Sequence, residues 1–173
     1  MGLWADLGLP AAHAGPVRHA LHRLVASAPG ARVASRVVAP LDTAVRRLAG
    51  GRTATEALAG VPTVTLTTRG ARTGRERQSH LLAIPCGEDL AVIGSNYGGE
   101  ATPGWVHNLR ADPSGVLTHH DRSVRVRARL LSGAEAEAVW DTAAAMYAGY
   151  PAYRRRAAHR TITVWLLQPA PRG

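Results

Sequence analysis

Four arginines fall within nine consecutive residues of one short segment: Arg69, Arg72, Arg75 and Arg77. Backbone amides at Gly70 and Gly74, together with arginine guanidinium groups, suit a phosphate or a carboxylate ligand. Arg72 and Arg77 lie on opposite sides of Gly74, so a turn there would bring both guanidinium groups onto one anion. A solvated basic turn would contain the same residues, and the segment alone leaves both interpretations open.

A second group of candidate residues lies in the segment TPGWVHNLRADP, residues 102–113. Pro103, Trp105, His107 and Asn108 crowd about one and a half turns of a predicted helix. Trp105 follows proline and glycine, where the chain can approach a planar ligand closely. The alternative is that Trp105 belongs to the core and Asn108 caps a helix.

A third group consists of tyrosines in the segment MYAGYPAYRRR, residues 146–156. Tyr147, Tyr150 and Tyr153 recur every third residue, which predicts that they share one helical face despite Pro151. Three phenols on one face are costly to bury without partners, so they suit a cleft for a planar or polar substrate. The alternative is a half-exposed stripe at an interface.

The elements that must position these residues follow from the hydrophobic periodicity. Helical spacing occurs within residues 16–27, 33–50 and 133–150, and Thr53 and Glu56 have the spacing of a capping box. The first 15 residues, rich in Gly, Ala and Pro, are expected to be loose. Alternating, β-branched segments predict strands at residues 61–68, 76–85, 90–96, 115–120, 123–131 and 161–169.

This order predicts an α+β fold with flanking helices and a mostly antiparallel sheet of about six strands, enough to close as a small barrel. We expect residues 1–47 to form an N-terminal helical extension and residues 48–173 to form the barrel domain. No G-x-G-x-x-G segment follows a strand, which argues against a dinucleotide site of the Rossmann type.

The charge and cysteine content limit the partners and the location. The net charge is +9 and every basic residue is arginine, which favours an anionic partner without choosing one. The arginines are not confined to one face and no nucleic-acid motif accompanies them, so no nucleic-acid partner is expected. Cys86 is the single cysteine, which fits a reducing cytoplasm.

Neither a membrane helix nor a signal peptide is recognisable in the sequence, so a cytoplasmic location is expected. The basic amphipathic N-terminal helices would also suit peripheral contact with an acidic membrane surface at the inner face. The histidine pairs have no Cys or carboxylate companion at ligand spacing, and no metal site is expected.

Four segments, in this order, resemble the deazaflavin-dependent nitroreductase family of actinobacteria. The resemblance runs from Leu48 to Pro169 and is carried by TTRGARTGRERQS, GSNYGG, PGWVHNLRADP and GYPAYRRRAAHRTI. It implies a split β-barrel that binds coenzyme F420, an 8-hydroxy-5-deazaflavin. It also implies an anion for the basic loop, namely the phosphate and oligoglutamate tail of the cofactor.

The resemblance assigns roles to particular residues. Those expected at the cofactor tail are Arg72, Thr73, Gly74, Arg77 and Ser79. Those expected beside the deazaflavin ring are Ser95, Asn96, Pro103, Trp105 and Asn108. Those expected to line the substrate pocket and to take part in catalysis are Tyr147, Tyr150 and Tyr153, with the hydroxyl of Ser95 as a further candidate. Tyr150 or Tyr153 is our hypothesis for the hydrogen-bond or proton donor.

The implied activity is hydride transfer from reduced F420 to a small-molecule acceptor, either a quinone, an enone or a nitroaromatic compound. Split barrels also carry other functions, since a fold does not fix a function. Alternatives are a non-catalytic deazaflavin-binding protein and a protein that binds FMN or haem on the same barrel. Split barrels commonly pair across the sheet, so a homodimer is also expected.

Overall fold

The structure, a computed structural model, describes residues 2–10 and 61–171. The helices predicted within residues 16–27 and 33–50 and the capping box at Thr53 lie outside these residues. The expected boundary between residues 47 and 48 also lies there, so the division into an extension and a barrel domain stays a prediction.

The described residues form seven strands and four helices. The strands are β1 (Thr63–Arg69), β2 (Glu76–Leu82), β3 (Ile84–Cys86), β4 (Asp89–Ile93), β5 (Ser114–His119), β6 (Arg122–Leu131) and β7 (Val164–Pro169). The helices are α1 (Leu3–Asp6), α2 (Gly104–Ala111), α3 (Gly133–Met146) and α4 (Tyr150–Arg156), with a 3-10 turn at Asn96–Gly98.

All seven strands belong to one antiparallel sheet in the order β2–β1–β5–β6–β7–β4–β3. The strands β2 and β3 occupy opposite ends of this order, yet only Ala83 separates them in the chain. The sheet must therefore curl until its two ends meet at Ala83. The predicted α+β fold with a curled antiparallel sheet is confirmed, and the single strand predicted at residues 76–85 is corrected to two.

The hydrophobic core inside the curled sheet follows from the alternation of the strands. Leu66 of β1 lies opposite Leu117 of β5, and both side chains are fully buried. They pack with Val92, Trp165 and Leu167 in one cluster. Residues that alternate with them face the other side of the sheet, as the period of two requires.

The N-terminal segment belongs to this core, so the expectation of a loose start is wrong for residues 3–9. Leu3 and Leu7 are fully buried in the barrel cluster, and Leu9 lies beside them. The Nδ1 atom of His119 donates a hydrogen bond of 3.0 Å to the carbonyl oxygen of Leu7. Leu3 and Leu7 are one helical turn apart, a spacing that predicts a buried helical face. The Gly- and Pro-rich composition of the segment instead favoured a loose chain.

A second hydrophobic cluster covers the outer face of β3, β4 and β7. Trp140 of α3 and Tyr150 of α4 pack there against Ile84 and Leu166. The helix predicted over residues 133–150 ends at Met146, and α4 begins at Tyr150 with proline in its first turn. Proline suits that position because its missing N–H would have no helical partner there.

Truncation of the buried N-terminal leucine tests whether this segment stabilises the barrel. Leu7→Ala should lower the free energy of unfolding by about 2–5 kcal/mol, because it leaves a cavity in the barrel core. Chemical denaturation would measure the loss. Leu130→Ala is the matched control, since Leu130 is 49% exposed on β6 and should change stability by less than about 0.5 kcal/mol. Equal effects of the two substitutions would contradict the packing described here.

Candidate active site

A groove of about 700 Å³ lies between the loop that joins β1 to β2 and the first turns of α2. This volume is within the range of small-molecule and cofactor sites. The groove is lined by Gly70, Ala71, Arg72, Thr73, Arg77, Ser79, Gly104, Trp105, His107 and Asn108. Two arginines, two hydroxyl-bearing residues, a tryptophan and a histidine therefore border one space.

The loop between β1 and β2 is a compact turn. The N–H of Gly70 donates to the carbonyl oxygen of Arg75 at 2.8 Å, and the N–H of Gly74 donates to the carbonyl oxygen of Gly70 at 2.8 Å. Gly74 has a φ of +65°, which favours glycine at this position. The turn brings Arg72 and Arg77 to the same groove, as the sequence predicts, although Gly74 itself is not among the lining residues.

The alternation of β2 explains which of its side chains reach the groove. Arg77 lies opposite Thr68 and Ser79 lies opposite Leu66, so both share the face of the sheet that holds the barrel core. Gln78 lies between them and faces the other side. A positive charge and a hydroxyl, two residues apart, are thus aligned along the groove wall.

Asn108 of α2 holds the loop in place. Its Oδ1 atom accepts a hydrogen bond of 3.0 Å from the N–H of Ala71, and its Nδ2 atom donates a bond of 3.0 Å to the hydroxyl of Thr68. The side chain is 8% exposed. Both ends of its amide are engaged by the protein, so Asn108 contributes to the groove mainly by positioning the loop that carries Arg72.

The first turns of α2 form the opposite wall of the groove. Pro103 is the N-cap residue and precedes the lining residues, while Trp105 is 5% exposed and belongs to the barrel core. Trp105 thus borders the groove although it is largely buried. His107 is exposed in the groove, and sequence reasoning singled it out without assigning it a role. The i, i+3 spacing of Gly104 and His107 would have placed both on one face.

The loop after β4 carries two further predicted site residues. Ser95 is 8% exposed, and Asn96 donates a hydrogen bond of 3.0 Å from Nδ2 to the carbonyl oxygen of Ala101. Neither residue lines the groove in the part of the chain that the structure describes. The loop nevertheless borders α2, since a Cβ atom built on Gly94 would lie 3.0 Å from Cγ2 of Val106.

The three predicted tyrosines come together in the second hydrophobic cluster and not on the groove lining. The hydroxyls of Tyr147 and Tyr153 are hydrogen-bonded at 2.9 Å, and Tyr150 packs edge-to-face against Trp140. The side chains are only 7%, 4% and 3% exposed for Tyr147, Tyr150 and Tyr153. A half-exposed interface stripe is therefore wrong, and the catalytic role of these tyrosines stays a prediction.

Burial changes the acidity of the tyrosine cluster. It raises the pKa of Tyr150 and Tyr153 well above the ordinary value for a phenol. The nearby phenol of Tyr147 raises both further, and burial raises the pKa of Tyr147 itself. The phenols are therefore neutral hydrogen-bond donors at physiological pH.

Residues 2–10 and 61–171 also bear on two other kinds of site. This part of the chain contains no cluster of three or more His, Cys, Asp or Glu side chains arranged to hold a metal ion. Its helices also include none with the length and apolar character needed to cross a bilayer.

Comparison with known proteins decides the family. Residues 39–169 match the family described as F420H(2)-dependent quinone reductase. The chain belongs to this family. Its cofactor is accordingly coenzyme F420, and the protein is an F420-dependent reductase.

Solved structures agree with the family assignment. An F420-H2 dependent reductase (FDR-A) is 30% identical over 62% of this chain and 94% of its own, with a TM-score of 0.56. A protein described as a domain-swapped dimer is 25% identical over 82% of this chain and all of its own, with a TM-score of 0.58. The predicted split barrel is confirmed by the first of these.

A more distant structure shows the fold alone. The heme storage protein HutZ from Vibrio cholerae is 13% identical over 64% of this chain and 82% of its own, with a TM-score of 0.50.

The groove of the reductase fits the chemistry of this cofactor. The guanidinium groups of Arg72 and Arg77 and the hydroxyls of Thr73 and Ser79 suit phosphate and carboxylate oxygens. Trp105 is among the lining residues that α2 contributes, where it can contact a planar ring. The donor set is therefore positively charged along one wall and aromatic along the other.

The tyrosine cluster predicts an unusual alkaline titration of the reductase. The protein has four tyrosines, and Tyr147, Tyr150 and Tyr153 have raised pKa values in the folded state. The unfolded chain ionises them near pH 10, so the free energy of unfolding should fall as pH rises above about 10. Tyrosinate absorbance at pH 11 should report fewer than four ionised phenols while the near-UV circular dichroism remains native.

The same protein in guanidinium chloride is the control for this titration, and there all four phenols should ionise near pH 10. Ionisation of all four near pH 10 in protein with native circular dichroism would show that the cluster is not buried.

Proposed function

We propose that this F420-dependent reductase transfers a hydride from the reduced cofactor to a quinone, and that the groove beside α2 holds the cofactor. The carrying observation is that Arg72 and Arg77 face Trp105 and His107 across one space of about 700 Å³. The description of the family as a quinone reductase favours a quinone over the enone and nitroaromatic acceptors.

The residues of the basic wall would bind the anionic end of the cofactor. Arg72 and Arg77 offer forked N–H donors, which suit phosphate and carboxylate oxygens better than a point charge does. Thr73 and Ser79 add neutral donors within the same wall. Asn108 would hold the loop in the binding conformation before the cofactor arrives, which lowers the ordering cost of binding.

The other predicted residues would act on the reacting groups. Bound reduced F420 would supply a hydride, which carries two electrons and one hydrogen, so conversion of the quinone to the hydroquinone needs one further proton. A neutral hydroxyl can stabilise the negative charge that develops on the acceptor oxygen. Ser95, Tyr150 and Tyr153 are the proposed donors, with solvent as the ultimate proton source. Trp105 would limit the orientation of the ring.

Removal of either groove arginine should weaken cofactor binding. Arg72→Ala and Arg77→Ala should each raise the Kd for oxidised F420 by an amount equivalent to about 1–3 kcal/mol, because a charge-assisted bond is lost. Quenching of cofactor fluorescence would measure the Kd. Arg155→Ala is the matched control, since Arg155 is exposed on α4 and is not among the groove residues.

A second arm of this experiment uses cofactors that differ at the anionic end. A deazaflavin that lacks the phosphate and glutamates should bind wild type and Arg72→Ala equally, because the lost contact is with the tail. FMN should bind more weakly than F420. Preference for FMN, or equal F420 affinity in wild type and both groove variants, would exclude this groove as the cofactor site.

Replacement of single hydroxyls tests the proposed donors. Tyr150→Phe and Tyr153→Phe should each lower turnover about 10-fold or more if that hydroxyl contributes acid catalysis, and should leave F420 affinity near wild type. Stopped-flow oxidation of reduced F420 by menadione would measure turnover, with a nitroaromatic compound and an enone as competing acceptors. Unchanged turnover would remove that tyrosine from the mechanism.

Association and location are proposals as well. A homodimer is supported by the domain-swapped dimer that is 25% identical to this chain. Peripheral contact with an acidic membrane surface would involve the basic amphipathic helices predicted within residues 16–27 and 33–50, which lie outside the described residues. A cytoplasmic location and an actinobacterial source rest on the sequence.

A further inference from the structure

The loop between β4 and α2 has an unusual backbone conformation. Asn96, Tyr97 and Gly98 are consecutive residues with φ values of 47°, 55° and 75°. The left-handed region costs a residue with a side chain roughly 1–2 kcal/mol, and two such residues in succession are uncommon. Strong contacts from other elements must therefore hold this loop in place.

Arg160 supplies three of these contacts. Its Nη2 atom donates to the carbonyl oxygen of Ser95 at 2.8 Å, its Nε atom to that of Gly99 at 3.1 Å, and its Nη1 atom to that of Gly94 at 3.2 Å. One rigid guanidinium fork thus joins both ends of the loop. Arg160 is partly buried, and this burial lowers the pKa of its guanidinium group.

Arg156 contacts the middle of the same loop. Its Nη2 atom donates to the carbonyl oxygen of Tyr97 at 2.8 Å, and its guanidinium carbon lies 5.1 Å from the ring centroid of Tyr153. A Cβ atom built on Gly98 would lie 3.0 Å from the Cα atom of Tyr153, so the loop is in close contact with α4. Two arginines, four residues apart, therefore bind four carbonyl groups of one loop.

The loop connects the tyrosine cluster with the wall of the groove. On one side, Tyr97 packs edge-to-face against Tyr153 at a centroid distance of 5.9 Å. On the other side, Gly94 lies against Val106, the neighbour of Trp105 in α2. A change in this loop would reach the predicted donor Ser95 and the groove wall together.

We propose that Arg160 is a positioning residue for hydride transfer, which it aligns by fixing the loop that carries Ser95. This inference rests on the proposed function. A purely structural role would lower stability alone. A positioning role should lower the rate of the chemical step while the distant arginines of the β1–β2 loop still bind the cofactor tail.

Three variants test the proposal: Arg160→Ala, Arg160→Lys and, as the matched control, Arg155→Ala. Arg160→Lys keeps a positive charge and is the variant with the better prospect of folding, but an ammonium group cannot span three carbonyls as the guanidinium does. Each variant is compared with wild type by hydrogen exchange of the loop amides, by F420 affinity and by single-turnover oxidation of reduced F420 with menadione.

Arg160→Ala should accelerate exchange of the amides at residues 96–99 at least 10-fold in the protein without cofactor. It should lower the single-turnover rate at least 10-fold and change the Kd for F420 less than threefold. Millimolar guanidinium should restore part of the rate to Arg160→Ala and none to wild type. Arg160→Lys should recover little of the rate, and Arg155→Ala should behave as wild type.

Faster loop exchange with an unchanged single-turnover rate would overturn the positioning role. A rate that falls only in proportion to lost folded protein would also overturn it. If wild type binds F420 but reduces no acceptor, or binds none, the proposed function fails. Amide exchange in the cofactor-free proteins tests the role of Arg160 separately. Unchanged exchange at residues 96–99 in Arg160→Ala would show that Arg160 does not hold the loop.

Discussion

The bend of the chain at Ala83 is the constraint on which the rest of the structure depends. Ala83 is fully buried, and its N–H donates to the carbonyl oxygen of Pro62 at 2.9 Å. On one side of it β2 pairs with β1, and on the other β3 pairs with β4. One continuous segment therefore closes the two ends of a seven-stranded sheet, with a fully buried alanine at the corner.

The closed sheet has an inner face and an outer face, and different elements pack against each. The inner face buries Leu66 and Leu117 and receives the N-terminal Leu7. The outer face of β4 and β7 is covered by α3 and α4, which bring the tyrosines to that side. The groove forms where the β1–β2 loop passes over α2, and Asn108 joins the two. Each part of the site is thus attached to a packed element.

Some of this could be predicted from the sequence because it depends on local chemistry. Strands β1, β5, β6 and β7 follow from alternation and β-branched residues, and the turn between β1 and β2 follows from its glycines. The bend at Ala83 could not be predicted, because residues on both sides have the same strand pattern. Which strands pair across the closure is a property of the whole chain.

The site residues divide in the same way. The shared position of Arg72 and Arg77 at one groove was predictable because a turn at Gly74 is local. The double hydrogen bond of Asn108 was not, because its partners Thr68 and Ala71 lie 40 and 37 residues away in the chain. The three-residue spacing of the tyrosines could not distinguish a substrate cleft from a packed cluster, because both arrangements place the side chains on one helical face. Only the elements packed against that face decide between them.

The arginines that the structure describes differ in what they contact. Arg129 and Arg154 are bound to Glu135 and Glu137, and Arg156 and Arg160 contact backbone carbonyls. The guanidinium groups of these four arginines thus bind carboxylates or carbonyl groups of the protein itself. The arginines of the β1–β2 loop are exposed side by side, where like charges repel at low ionic strength. An anionic ligand with several charges would relieve this repulsion at every arginine it contacts.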